Sequence, residues 1–168
     1  AAGFGKRVHP LTLDNPKPLL KIGEETLLSN TLKFLEQLGI KQVVINVHYL
    51  GNKIKEYINK QKFNLNISIV EEKEKILDTG GGVLNAIQYF SDGPFFIINP
   101  DTIWNSLYVK ELKLMDKVFS ENKKNKCMLL IVKKEKSFDQ TFMGDFNLEN
   151  RLINRKDKNK LNYIYIGA

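Results

Sequence analysis

The alternation of apolar and polar residues predicts helices separated by strands along most of the chain. Apolar side chains recur every three or four residues over 26–39, which predicts a helix capped at its C-terminus by Gly39. Its inward-facing residues are predicted to be Leu27, Leu28, Thr31, Leu32, Phe34, Leu35 and Leu38. The same spacing predicts a shorter helix over 52–61, with Asn52 as its N-cap, and a longer helix over 107–125.

Runs rich in β-branched and aromatic residues predict strands between these helices. The predicted strands cover 41–47, 65–72, 93–101 and 127–133, and shorter strands follow at 144–150 and 162–167. A glycine turn at 78–82 is predicted to lead into a further helix. Strands that alternate with helices in this way favour an α/β fold, with a mixed or parallel sheet covered by helices on both faces.

Composition places the chain among ordinary globular proteins. Its 168 residues suit one domain, and no apolar run approaches the roughly 20 residues that span a bilayer. The start lacks the basic and then apolar layout of a signal peptide, so we expect a cytoplasmic location without a membrane partner. The single cysteine, Cys127, lies in an apolar run, which predicts a buried thiol without an intrachain disulfide.

The formal net charge of +7 raises the question of a nucleic-acid partner. The lysines lie in short pieces near the predicted element ends, at 59–62, 121–126, 133–136 and 155–160, mostly mixed with acids. These pieces have no interleaved aromatic residues on which bases could stack. A solvated basic surface is therefore favoured, and no nucleic-acid partner is expected.

The first 20 residues combine glycines, cations and a Pro-Lys-Pro step. Gly3 and Gly5 leave room for backbone N–H groups to approach an anion, while Lys6, Arg7 and Lys17 add positive charge. The two prolines beside the last of these cations stiffen its backbone and so direct its side chain. The spacing matches neither a Walker A loop nor a dinucleotide fingerprint, so a phosphate site and a proline-stiffened surface loop both stay open.

Two further segments carry candidate site residues. The three glycines of "DTGGGV", at 78–83, suit a close approach to a flat ligand, although a flexible turn has the same composition. Asp101 ends the predicted strand 93–101, where a lone carboxylate suits Mg²⁺ or caps the next segment. His9 and His48 have no nucleophile or metal-ligand partner at a useful spacing, which favours structural roles for both.

The opening "AAGFGKRVHPLTLDNPKPLLKIG" closely resembles the signature loop of the sugar-phosphate nucleotidyltransferases. Together with "TLKFLEQLGIKQVVINVHYLGNKI", "DTGGGV", "INPD" and "GDFNL", it is most similar to their N-acetylmuramate 1-phosphate uridylyltransferase branch. The resemblance implies a Rossmann-like, mostly parallel sheet and an enzyme that couples a sugar 1-phosphate to a nucleoside triphosphate, UTP in this branch. It also implies release of pyrophosphate, Mg²⁺ as cofactor and a role in peptidoglycan recycling.

The resemblance carries family roles to the matching positions of this chain. Arg7 and Lys17 would be catalytic, and Asp101 would bind Mg²⁺. Gly144 and Asp145 would lie beside the sugar. The nucleotide-binding positions would be Ala2, Gly3, Gly5, Lys6, Thr79 and Gly80.

The chain departs from the family pattern in two respects. Pro100 stands where relatives usually carry Gly or Ser, which removes a backbone N–H beside the implied metal site. The pattern also implies a single nucleotidyltransferase domain over 1–168 that lacks its first strand and its C-terminal part, and such a fragment need not itself be active. The alternatives are another pair, such as glucose or mannose 1-phosphate with its own triphosphate, and a non-catalytic nucleotide-sugar-binding domain. The oligomeric state stays open.

Overall fold

The computed structural model describes residues 1–73, 76–90, 93–122, 126–139, 141–156 and 161–168. Its α-helices are α1 (Leu27–Leu38), α2 (Gly51–Lys60), α3 (Asp78–Ala86) and α4 (Leu107–Glu121). Its strands are β1 (Lys21–Ile22), β2 (Glu25–Thr26), β3 (Gln42–Val47), β4 (Asn66–Glu71), β5 (Ile131–Lys133), β6 (Asn147–Glu149), β7 (Leu152–Asn154) and β8 (Tyr163–Tyr165). This order confirms the predicted mixed α/β fold. Within these ranges, no helix has the length and apolar character that a membrane crossing requires.

Strands β3 and β4 form a parallel pair connected through α2. Gln42 pairs with Asn66 at one end of the register, and Val47 pairs with Glu71 at the other. Because parallel strands end at the same edge of a sheet, the residues at and just after these two carboxyl ends lie close together. The remaining strand pairs in the described ranges, β1 with β2, β5 with β8 and β6 with β7, are antiparallel and form separate two-stranded sheets.

Helix α1 forms where its apolar spacing predicts, and it has a defined signal at each end. The Thr26 hydroxyl accepts a hydrogen bond from the Ser29 N–H at 3.0 Å, and Gly39 ends the helix with a φ of 91°. These are the usual N-cap and C-cap arrangements, which satisfy backbone groups that the helix itself cannot pair. The helix therefore needs no neighbour to define its limits.

Two clusters of buried apolar side chains hold the elements together, and α1 contributes to both. The first cluster consists of Leu19, Leu28, Leu32, Ile45, Val47, Ile54 and Ile58, and it packs α1 and α2 against the parallel pair. The second cluster consists of Phe34, Trp104, Leu112 and Ala168, and it packs α1 against α4. The rings of Phe34 and Trp104 stack with centroids 5.2 Å apart.

The segment 93–101 is not the buried strand that its composition predicts. It belongs to no strand, and Phe95 and Ile97 are 38% and 42% exposed. One backbone hydrogen bond, from the Asn99 N–H to the Gly167 carbonyl at 2.8 Å, ties it to a distant part of the described chain. An apolar run becomes a strand only where a neighbouring backbone pairs with its N–H and C=O groups, and that pairing is not encoded locally.

Three local predictions are also wrong. Asn52 is not an N-cap, because α2 already begins at Gly51. The glycines of 78–82 lie inside the first turns of α3 rather than in a turn before it. Cys127 is exposed rather than buried, because the strand that follows it starts only at Ile131, where the chain pairs with β8.

Candidate functional site

A cavity of about 620 Å³ brings together the three segments that carry predicted site residues. The loop 1–8 with Lys17 lines one part of it, α3 lines another, and the segment 95–101 lines a third. The predicted site residues that line this cavity are Ala2, Gly3, Gly5, Lys6, Arg7, Lys17, Thr79 and Asp101. A cavity of this size accommodates a small organic ligand such as a nucleotide.

The opening loop is folded around a buried threonine. Thr12 is fully buried, and its hydroxyl donates a hydrogen bond to the Gly5 carbonyl at 2.9 Å. The Tyr49 hydroxyl, which lies just beyond β3, donates to the Leu13 carbonyl at 2.7 Å. These bonds fix the backbone that carries the glycines and cations of the cavity wall. Sequence reasoning missed both side chains, since neither belongs to a chemical constellation.

Lys17 and Asp101 form an ion pair in the wall of the cavity. The Lys17 ammonium donates a hydrogen bond to Asp101 Oδ2 at 2.6 Å, across 84 positions of sequence. Their side chains remain 29% and 38% exposed, so both groups are open to a ligand. The fold thus places a cation and a carboxylate from two separate motifs in direct contact.

Helix α1 and a buried tryptophan hold the loop that carries Asp101. The Trp104 indole N–H donates to the Asn99 carbonyl at 3.0 Å, which closes the loop on itself. The Asn30 side chain, on α1, bonds both the N–H and the carbonyl of Trp104, each at 3.0 Å. The Thr31 hydroxyl, also on α1, donates a long hydrogen bond of 3.4 Å to the Pro100 carbonyl oxygen. The position of Asp101 therefore depends on a helix that precedes it by about 70 residues.

Helix α3 presents one side of its glycine-rich start to the cavity. Thr79 and Gly82 line the cavity, together with Asp78 at the first position of the helix. Gly80 does not line it, and a Cβ added at Gly80 would meet no atom within 4 Å. Gly82 is different, since an added Cβ would lie only 2.5 Å from the Asn46 side chain. The predicted binding role of Gly80 stays a prediction.

Gly144 and Asp145 lie outside the residues that line the cavity. A Cβ at Gly144 would lie 2.4 Å from the Leu161 carbonyl oxygen, so only glycine fits at this close approach, where φ is 82°. Asp145 Oδ2 accepts a hydrogen bond from the Tyr165 N–H at 2.9 Å. Asp145 thus bonds strand β8, and Gly144 packs against Leu161, two residues before that strand begins. Their predicted place beside the sugar stays a prediction.

The charged side chains that line the cavity suit an anionic ligand, because three of them are cations, Lys6, Arg7 and Lys17, and two are carboxylates, Asp78 and Asp101. No group of three or more acids, histidines and cysteines that could hold a metal occurs in the described ranges. Asp101 alone still fits Mg²⁺, which commonly takes one or two carboxylates and completes its octahedron with phosphate oxygens and water.

Comparison with solved structures supports the assignment of the fold. The UDP-glucose pyrophosphorylase structure complexed with UDP-glucose superposes with a TM-score of 0.75 at 18% identity, covering 99% of this chain and 72% of that one. HddC from Yersinia pseudotuberculosis complexed with GMP-PN gives a TM-score of 0.70 at 22% identity, covering 100% of this chain and 68% of that one. At these identities the likeness shows a shared fold.

Sequence comparisons identify relatives that align with part of this chain. N-acetylmuramate alpha-1-phosphate uridylyltransferase of Caulobacter vibrioides is 34% identical over 107 residues, which cover 62% of this chain and 44% of that protein. Mannose-1-phosphate guanylyltransferase catalytic subunit beta of Dictyostelium discoideum is 33% identical over 103 residues, which cover 60% and 29%. The matched region thus spans less than half the length of either relative. Residues 1–142 match the family model described as nucleotidyl transferase, and the chain therefore belongs to the nucleotidyl transferase family.

Proposed function

We propose that this protein transfers a nucleotidyl group from a nucleoside triphosphate to a sugar 1-phosphate and releases pyrophosphate. The observation that carries the proposal is the Lys17–Asp101 pair in the wall of a cavity that the opening loop also lines. The names of the relatives support it, since they are uridylyl- and guanylyltransferases of sugar phosphates. Our preferred pair is UTP with N-acetylmuramate 1-phosphate.

The chemistry of this reaction needs cations more than it needs a base. A sugar phosphate oxygen is already anionic near neutral pH, and it forms a bond to the α-phosphorus while the bond from that phosphorus to the bridging oxygen of pyrophosphate breaks. No proton has to be removed from the nucleophile, so charge neutralisation and in-line positioning supply the catalysis. Arg7 and Lys17 are the cavity cations that we assign to this work.

We assign Mg²⁺ to Asp101. When bound, the ion would offset negative charge on the triphosphate and on the departing pyrophosphate. The carboxylate bonds Lys17 through Oδ2, which leaves the second oxygen for a further partner. Thr79 and Gly82 also line the cavity, and we assign to them the border of the base. The open space around Gly3 would let backbone N–H groups approach the phosphates.

The choice of sugar and base is the finer part of the proposal. The uridylyltransferase of Caulobacter vibrioides and the guanylyltransferase subunit of Dictyostelium discoideum are 34% and 33% identical to this chain, so identity does not separate them. We favour N-acetylmuramate 1-phosphate because "DTGGGV" and its neighbours resemble that branch most. Glucose or mannose 1-phosphate with another triphosphate is the alternative pair.

The test is magnesium-dependent pyrophosphate release, measured across the four common nucleoside triphosphates and a panel of sugar 1-phosphates. Calorimetry with each triphosphate measures binding in parallel. The matched region covers only 44% of the Caulobacter vibrioides relative. The assay is therefore repeated on a chimaera in which the flanking parts of that relative are added to both ends of this chain. Turnover limited to UTP with N-acetylmuramate 1-phosphate is the expected result, and turnover with a different pair would replace our choice of substrate.

A non-catalytic nucleotide-sugar-binding domain is the second candidate. The observation behind it is that Gly144 and Asp145, which the family pattern predicts beside the sugar, do not line the cavity that Lys17 and Asp101 share. Nucleotide binding without turnover in both the chain and the chimaera would favour this candidate. Failure of every triphosphate to bind would contradict both functions.

A further inference from the structure

Glu72 is a buried acid that the proposed chemistry does not use. It follows β4 directly, is only 3% exposed and does not line the cavity. Its Oε1 accepts a hydrogen bond from the Asn46 amide nitrogen at 2.7 Å, and its Oε2 accepts one from the Leu77 N–H at 2.8 Å. The carboxylate thus connects β3, the end of β4 and the residue that immediately precedes α3.

Gly82 brings the backbone of α3 against the same pair of side chains. A Cβ added at Gly82 would lie 2.5 Å from the Asn46 amide nitrogen and 3.0 Å from Glu72 Oε1. Any larger residue would force the amide away from Glu72 and leave a buried carboxylate oxygen without this donor, which is unfavourable. The helix can approach β3 this closely because residue 82 has no side chain.

Asn46 and Gly82 both line the cavity, so the place where they meet forms part of the cavity wall. A carboxylate offers acceptors only, and it therefore holds the Asn46 amide with its nitrogen toward Glu72 and its oxygen away. That oxygen accepts a hydrogen bond from the Ala1 nitrogen at 3.3 Å, at the base of the opening loop. The Asn46 amide thus contacts both the start of the opening loop, at Ala1, and helix α3, at Gly82.

We propose that Glu72 is a positioning residue that fixes α3 against β3 through Asn46 and thereby sets the width of the cavity. Glu72 acts without touching the ligand, since it does not line the cavity and its carboxylate bonds the Asn46 amide and the Leu77 N–H. The consequence for ligand binding rests on the proposed function, in which α3 borders the nucleotide base. The fixing of the helix itself does not depend on that function.

The first experiment compares Glu72→Gln with Glu71→Gln. Glu71 is the neighbouring acid, but it is exposed and pairs with Lys55 at 2.7 Å, so it controls for the loss of one negative charge. In Glu72→Gln the glutamine NH₂ faces one of the two donors that the carboxylate accepts from. We expect faster amide hydrogen exchange at Leu77 and along α3, unchanged exchange in α1, and UTP affinity weakened by about tenfold. Glu71→Gln should match the unaltered chain in all three.

A double-mutant cycle tests the contact without reference to any ligand. Gly82→Ala alone should destabilise the chain, because the added methyl group displaces the Asn46 amide. In a chain that already carries Asn46→Ala, the same Gly82→Ala change should cost much less, since the displaced group is gone. The folding equilibrium constant from urea unfolding gives the coupling, which we expect to be about tenfold. Additive effects of the two substitutions would overturn the proposed contact.

The outcomes separate this proposal from the proposed function. If the unaltered chain binds no nucleotide while Leu77 still exchanges faster in Glu72→Gln, the function fails and the fixing of α3 stands. If Glu72→Gln leaves exchange at Leu77 unchanged, the positioning role is overturned, whatever the UTP affinity. If exchange changes but UTP affinity does not, the helix is held by Glu72 without control of the binding site, and the proposal about the cavity is wrong.

Discussion

At the scale of single residues, Lys17 is expected to contribute much to catalysis and little to the stability of the fold. Its ion pair with Asp101 is short, but both side chains are about one-third exposed. Exposed ion pairs of this kind contribute about 0–1 kcal/mol to the free energy of unfolding. In a cavity that binds a triphosphate, the same ammonium would stabilise negative charge that develops during the reaction. Loss of one such donor raises the activation free energy by far more than the ion pair contributes to stability.

We therefore predict that Lys17→Ala lowers turnover by about 10²-fold or more while the free energy of unfolding changes by less than about 1 kcal/mol. Lys55→Ala is the matched control, because Lys55 pairs with Glu71 at 2.7 Å with similar exposure outside the cavity. Steady-state kinetics and urea unfolding measure the two quantities. Equal losses of turnover in the two variants would contradict the assignment of Lys17.

The control variant has its own spectroscopic signature. The hydrogen bond from Lys55 holds the pKa of the Glu71 carboxyl below its usual range, with the lysine charge adding to the effect. Because the folded-state pKa is lowered, this pair stabilises the fold above the ordinary carboxylate pKa, and the effect is lost as the pH falls through the folded-state value. In Lys55→Ala the Glu71 pKa should rise, as measured by NMR titration of its carboxyl carbon. An unchanged pKa would show that the pair does not form in solution.

Cys127 gives a prediction about exposure. Its thiol is exposed, although its apolar neighbourhood in sequence predicts the opposite. We expect Ellman's reagent to modify one thiol in the native chain at nearly the rate seen for the chain in guanidinium chloride. A native rate lower by orders of magnitude would indicate that Cys127 is buried.

At the scale of elements, α1 illustrates how a cap contributes to a helix whose position matters elsewhere. Thr26 accepts the Ser29 N–H and donates to the Tyr57 hydroxyl on α2, each at 3.0 Å. The helix that it starts carries Asn30, which holds Trp104 and so the loop of Asp101. Fraying of this helix would therefore be felt at the cavity as well as in the core.

Thr26→Ala should lower the free energy of unfolding by about 1 kcal/mol, since it removes the cap oxygen, and Thr26→Ser should restore most of the loss. Tyr57→Phe isolates the contribution of the second hydrogen bond, because it leaves the cap intact. Urea unfolding followed by circular dichroism measures all three variants. A Thr26→Ser variant as unstable as Thr26→Ala would show that the methyl group, rather than the hydroxyl, accounts for the effect.

At the scale of the whole molecule, two clusters of buried side chains share one helix. Leu28 and Leu32 of α1 belong to the first cluster, and Phe34 of the same helix belongs to the second. Neither cluster can lose its packing without disturbing a helix that the other needs. We therefore expect the chain to unfold in one cooperative transition.

Leu112, in α4, is the position at which to test this coupling. It is fully buried in the second cluster, so Leu112→Ala should cost about 2–5 kcal/mol. Leu114→Ala on the same helix is the control, because Leu114 is 53% exposed and the expected change is within about 0.5 kcal/mol. The fluorescence of Trp104, the single tryptophan, reports on the second cluster, and circular dichroism reports on the helices of both. In Leu112→Ala the two transitions should shift together, and separate midpoints would show that the clusters unfold independently.

Features with local physical causes could be predicted from the amino-acid sequence alone. The spacing of leucines places α1, and runs of β-branched residues place β3 and β4, because helix and strand periods are properties of adjacent residues. The glycines and cations of the opening loop are also recognisable in the sequence, and together with the later motifs they indicate the family. None of these features needs a residue from a distant part of the chain to be recognised in the sequence.

Contacts between distant residues, and the burial of apolar segments, depend on how the chain folds in three dimensions. Segment 93–101 has the composition of a strand yet lacks the paired backbone that would make it one. The contact of Lys17 with Asp101 spans 84 positions, and that of Asn46 with Glu72 spans 26, so no local pattern encodes either. Burial and charge pairing depend on the packing of α1, the parallel strands and α3 as a unit. The sequence therefore predicts candidate residues for the site, whereas the fold determines which of them lie together.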